Sequence, residues 1–147
     1  MSAPSRHISC LAAPLHIVGM KHALLPNATT PQVTVLYDGS CPLCRKEIGV
    51  YQRAEGGDTV AWCDVSLPGA TPPGMTQETA MARFHVIDSA GATKNGARAF
   101  IALWLSLPGW RWLGRIASIP PLPLVLEGIY RAFLPIRPWL QRLARRE

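Results

Sequence analysis

No run in this 147-residue chain approaches the twenty consecutive apolar residues of a membrane-spanning helix, which sets aside a spanning architecture. Charge is sparse, 16% against 48% hydrophobic residues, and that balance argues for a packed core over a disordered chain. Cysteine is sparse too. Only Cys41 and Cys44 of the four are close, which is no framework for a small secreted disulfide scaffold and fits a reducing, cytoplasmic compartment with one active dithiol. Zinc would need a second close pair of ligands, yet Cys10 and Cys63 are isolated and His7, His16, His22 and His85 form no late pair. A site from Cys41, Cys44, Cys63 and His85 is the weaker alternative, so no metal or other cofactor is expected. The net charge of +6 comes without a groove-reading motif, and no nucleic acid partner is expected. Residues 1–30 keep no helix or strand period and are expected to be disordered; Pro14, His16 and Gly19 break the apolar core a signal peptide would need.

The most informative residues present are Leu36-Tyr37-Asp38-Gly39-Ser40-Cys41-Pro42-Leu43-Cys44. Residues 33–37 are β-branched and apolar and read as a buried strand, while Asp38-Gly39-Ser40 supplies a turn. A helix is therefore expected to open at Cys41 and run to about Ala54, before Gly56-Gly57. A helix start presents unpaired N–H groups and partial positive charge, which favour thiolate over thiol. Pro42 suits the first turn, where its missing N–H costs nothing. Cys44 lies within disulfide reach and shares a helix face with Ile48 and Tyr51, so it is expected to point into the core. That leaves Cys41 at the open end as the attacking sulfur and Cys44 as the sulfur that resolves a mixed disulfide. Arg45 and Lys46 are expected to add positive charge near the thiolate. Asp38 has two compatible roles, accepting the Cys44 proton or capping the turn, and Asp before Gly at a strand end favours the cap.

Strand, helix and a second strand at residues 59–65 imply a parallel pair. A Pro/Gly-rich loop over 67–74 leads to a short helix at 77–82, a hairpin of strands 83–88 and 92–94, and an apolar helix at 97–107 ended by Pro108-Gly109. This is an α/β, thioredoxin-type order: a βαβ unit, a β-hairpin and a helix. Ligands of open α/β sheets gather at the carboxyl ends of parallel strands, so Asp64, beside Cys63, is expected to border the site with Asp38. His85 is expected to be structural and Cys63 a small buried residue. The chain divides into an extension (1–30), a core carrying the dithiol (31–107) and a C-terminal helical extension (108–147).

With these residues in order, the chain resembles the DCC-type thiol-disulfide oxidoreductases, whose Asp-x-x-Cys-x-x-Cys signature is here Asp38 to Cys44. Similarity continues through Trp62-Cys63-Asp64-Val65-Ser66, Phe84-His85-Val86-Ile87-Asp88, Gly96-Ala97-Arg98-Ala99-Phe100, Leu107-Pro108-Gly109-Trp110 and Tyr130-Arg131-Ala132-Phe133, covering about residues 32 to 143. The resemblance implies a thioredoxin-like fold, dithiol–disulfide exchange, Cys41 and Cys44 as the redox pair, and a protein or small-molecule thiol or disulfide as partner. One departure is that no proline precedes the strand at Arg83, where better-known thioredoxin relatives place a cis-proline that helps hold substrate backbone. That departure argues against peptide binding.

From residue 108 onward seven Arg face two Glu, a net of +5. Trp104, Trp110, Trp112 and Trp139 lie in or beside this segment, and Trp with Arg on an amphipathic helix suits peripheral contact with a membrane surface. Pro120, Pro121, Pro123, Pro135 and Pro138 cut the segment into short pieces, so the favoured expectation is that its Trp, Leu and Ile pack onto the core while Arg faces water. A membrane-surface or partner-binding module without redox turnover is the alternative function.

Overall fold

A computed structural model describes residues 33–146; the disorder expected for residues 1–30 lies outside them. The elements are β1 (Val33–Tyr37), α1 (Pro42–Arg53), a 3-10 turn (Gly57–Thr59), β2 (Ala61–Asp64), α2 (Gln77–Ala82), β3 (His85–Asp88), β4 (Thr93–Asn95), α3 (Ala97–Ser106), α4 (Arg111–Ala117), α5 (Leu122–Phe133) and α6 (Arg137–Arg145). The sheet order is β2-β1-β3-β4. Val35 of β1 sits opposite Trp62 of parallel β2 and Val86 of antiparallel β3, so β1 is central and both its edges are paired. This is the thioredoxin-like arrangement expected from the sequence.

Two strands are shorter than expected. β2 begins at Ala61 because Thr59 closes the preceding turn, its N–H and hydroxyl both donating to the Gly56 carbonyl at 3.0 and 2.6 Å. β3 begins at His85, since Arg83 is the extended residue that ends α2.

The period-2 alternation of β1 divides the core. Val33 and Val35 face α1 and α3, joining Ile48, Tyr51, Val86, Leu103 and Leu107, while Leu36 faces the α2 side with Cys63, Val65 and Ala80. Each of these Val or Leu side chains contributes about 1.5–3 kcal/mol by leaving water. Polar ends of the aromatic residues are satisfied within the same layer: Trp104 Nε1 donates to the Tyr51 hydroxyl at 3.2 Å, and the Tyr51 ring meets Trp110 edge-on.

The three C-terminal helices pack on this layer, α4 and α5 against α3 and α6 against α1. Glu127 ties α5 down. Its carboxylate pairs with Arg83 and Arg131 and accepts the Ala97 N–H at 3.1 Å, one of the orphan donors at the start of α3. Gly96, at φ +60°, permits that approach, because a Cβ there would overlap both Arg83 and Glu127. One turn on, the Tyr130 hydroxyl accepts the Phe84 N–H at 2.8 Å.

Candidate active site

The turn after β1 is fixed from three directions. Asp38 Oδ1 accepts from the Ser40 N–H (3.0 Å) and hydroxyl (2.5 Å), the turn-capping role favoured by the sequence. Asp64, at the end of β2, accepts the Gly39 N–H at 2.9 Å, along with the N–H and hydroxyl of Ser66. A Cβ at position 39 would overlap the Asp64 carboxylate, so any larger residue there displaces Asp64. Arg45 Nη1 donates to the Gly39 carbonyl at 2.8 Å. Asp64 thus borders the site from behind the turn and braces it.

Cys41 follows as the N-cap of α1. Its backbone is extended (φ −87°, ψ 116°), its Sγ accepts the Cys44 N–H at 3.3 Å, and Pro42 occupies the first turn. The sulfur takes the place a Ser or Asp oxygen usually holds, at the positive end of the helix.

The accessibility of the two sulfurs is the reverse of the sequence expectation. Cys41 has no exposed surface, although it belongs to neither core cluster, while Cys44 is half-buried and lines a cleft. The cause is α6. Arg137 and Gln141, one turn apart on that helix, come down on the start of α1. Arg137 Nη2 lies 3.3 Å from Asp38 Oδ2 and 3.6 Å from Cys44 Sγ, its Nη1 donates to the Met81 carbonyl at 3.1 Å, and Gln141 lies near enough to Cys41 to favour its thiolate. Ile48 and Tyr51 carry the α1 face into the core, while Cys44 stops at the cleft wall.

Electrostatics separate the two thiols. Burial works against a Cys41 thiolate, but hydrogen bonds from the Cys44 side chain and backbone, another from Gln141, and the Arg137 charge outweigh it and hold Cys41 below the ordinary thiol value. Cys44 is pushed up to about 12, by burial first, then by its hydrogen bond to Cys41 and the negative charge there, with Arg137 opposing. The cation acting on both sulfurs is Arg137, whereas Arg45 is engaged with the Gly39 carbonyl and Lys46 is exposed.

The cleft beside Cys44 is largely aromatic, with Met81, Phe84, Phe100, Tyr130 and Phe133 in its walls, and the charged residues Asp38, Glu47, Arg83 and Arg137 also line it. Backbone groups that an extended peptide would use near the dithiol are already engaged: the Phe84 N–H by Tyr130, the Met81 carbonyl by Arg137 and the Arg83 carbonyl by His85 Nδ1 at 2.7 Å. His85 is buried, as expected of a structural residue, and burial lowers its pKa. Cys63 is buried in the second core cluster. Among the described residues no three His, Cys, Asp or Glu side chains gather as a metal site.

Residues 35–143 match the family model of the DCC1-like thiol-disulfide oxidoreductases. The chain belongs to that family. It is also 28% identical over 125 residues to an uncharacterised chloroplastic protein of Arabidopsis thaliana, an alignment covering 82% of this chain and 58% of that protein. The chain therefore spans a little over half the length of the curated relative it matches. No solved structure matches. The DCC1-like match includes the dithiol and α6 together, so the family unit extends beyond the 31–107 core that carries the sulfurs. Sequence reasoning missed Arg137 and Gln141. The signal was faint: a polar pair four apart on a helix whose other residues include Trp139 and Leu143, indistinguishable by charge alone from six other Arg nearby.

Proposed function

We propose that this chain carries out dithiol–disulfide exchange with Cys41 as the entering nucleophile. The observation that carries the proposal is a helix-capping sulfur, Cys41 Sγ accepting the Cys44 N–H, beside a second sulfur that is kept protonated and touched by Arg137. The Cys41 thiolate attacks a substrate disulfide, forming a Cys41–substrate bond and expelling one substrate thiolate. Cys44 then loses its proton and attacks Cys41 Sγ, closing the 41–44 disulfide and expelling the second thiolate, so two electrons pass to the substrate. Formation of the mixed disulfide removes the charge and hydrogen bond at Cys41 that raise the Cys44 pKa, while Arg137 stays beside Cys44. The first step thereby prepares the second.

Because Cys41 is covered, attack requires a local opening that exposes its sulfur. Its engaged backbone neighbours and the aromatic cleft favour a small apolar thiol or disulfide over a peptide laid along β3. A redox titration in glutathione buffers, followed by alkylation and peptide mass, tests the exchange: Cys41 and Cys44 should convert together with one reversible midpoint. Thiols that stay reduced under all buffers, or that convert separately, would refute it. Turnover of a small aromatic disulfide should exceed that of a protein disulfide, and the opposite order would remove the cleft from the account.

A further inference from the structure

The outer face of the C-terminal helices takes no part in exchange, yet it is conspicuously apolar. Trp112 and Ile116 on α4, Leu124 and Ile129 on α5, and Trp139 and Leu143 on α6 are between 48% and 71% exposed. The expectation that Trp, Leu and Ile of this segment pack inward holds for Trp104 and Trp110, which join the first core cluster, and fails for these six. α6 buries no residue at all. Six Arg, at 111, 115, 131, 142, 145 and 146, are exposed on the same three helices. Exposed Trp, Ile and Leu interleaved with exposed Arg on short helices are the composition of helices that lie at an interface.

Charge decides between occupants. A second copy of the chain would bring a face with the same excess of Arg. Residues 1–32 carry Arg6 and Lys21 and no acidic residue, so they do not complement the face either. What fits is a surface that accepts apolar side chains and carries negative charge. We infer that the outer face of α4, α5 and α6 docks on an anionic phospholipid surface, with Trp112 and Trp139 at the headgroup boundary and the Arg side chains on phosphates. No helix of the described residues is long and apolar enough to cross a membrane, so the contact is interfacial.

The test is co-sedimentation of the full chain with vesicles of phosphatidylcholine mixed with phosphatidylglycerol, against phosphatidylcholine alone. Mixed vesicles should bind the protein, neutral vesicles far less, and added salt should weaken the binding. Replacing Arg142, Arg145 or Arg146 by Gln should lower partitioning about fivefold each. The double variant Trp139→Ser with Leu143→Ser should lower it at least about tenfold. Both residues are exposed, and circular dichroism will report whether the fold is kept. Absence of binding to mixed vesicles overturns the inference, as does binding that survives the apolar substitutions, which is adsorption by charge alone. Tighter binding of an acidic amphipathic peptide than of vesicles would assign the face to a protein partner and overturn it equally.

Discussion

β1, α1 and β2 set two sulfurs at a helix start using residues that all lie between Leu36 and Ser66, whereas α6 reaches Cys44 from 93 residues away in sequence. The two regions contribute differently. The sheet region places atoms through backbone pairing, a braced turn and buried side chains. The C-terminal helix contributes charge and access, through Arg137 and Gln141, and it buries no residue of its own.

The sharpest way to break this comparison is on the sheet side. Cys41→Ser should abolish turnover, while Cys44→Ser should leave the first attack intact and trap a mixed disulfide visible by mass. Next is the helix side. Arg137→Gln should raise the Cys41 pKa, lowering the thiolate fraction and turnover near neutral pH, with Arg137→Lys recovering part of the loss. A change confined to protein stability would instead make α6 a simple buttress. Gly39→Ala should cost about 1–3 kcal/mol in denaturant unfolding by forcing the Asp64 carboxylate out of the turn. Tyr130→Phe is the mildest, about 1 kcal/mol from leaving the Phe84 N–H without its acceptor.

Alkaline stability sharpens the contrast between the sulfurs. Cys44 in the unfolded chain ionises near the ordinary thiol value but keeps its proton to about 12 when folded. Between those limits the folded chain holds the extra proton, so stability should fall as pH rises, and Cys44→Ser should flatten that fall. Cys41 behaves oppositely: its depressed pKa favours the fold above the ordinary thiol value, a contribution lost as pH falls through the folded pKa.

The same contrast explains what could be read from the sequence. The strand, turn and helix around Asp38, Cys41 and Cys44 follow from local period and capping, and the sheet order follows from the βαβ-then-hairpin sequence. The inward Arg was not legible, because seven Arg crowd one segment and nothing local distinguishes Arg137 from Arg142 or Arg145. The exposure of the two sulfurs was misread for the same reason. Facing along α1 predicts Cys41 open and Cys44 buried, but Cys41 is covered and a cleft opens at Cys44. Asp64 was placed at the correct end of β2, yet its role in bracing Gly39 depends on a contact between two loops.

Hydrogen bonds from Cys44, helped by Gln141 and the Arg137 charge, hold Cys41 below the ordinary thiol value. The direct measurement is the pH dependence of Cys41 alkylation, followed by peptide mass, in the native chain and in Arg137→Gln. The native chain should show a midpoint below that of an ordinary thiol, and Arg137→Gln should raise it. An ordinary midpoint in the native chain, or one unmoved by the substitution, would contradict this account.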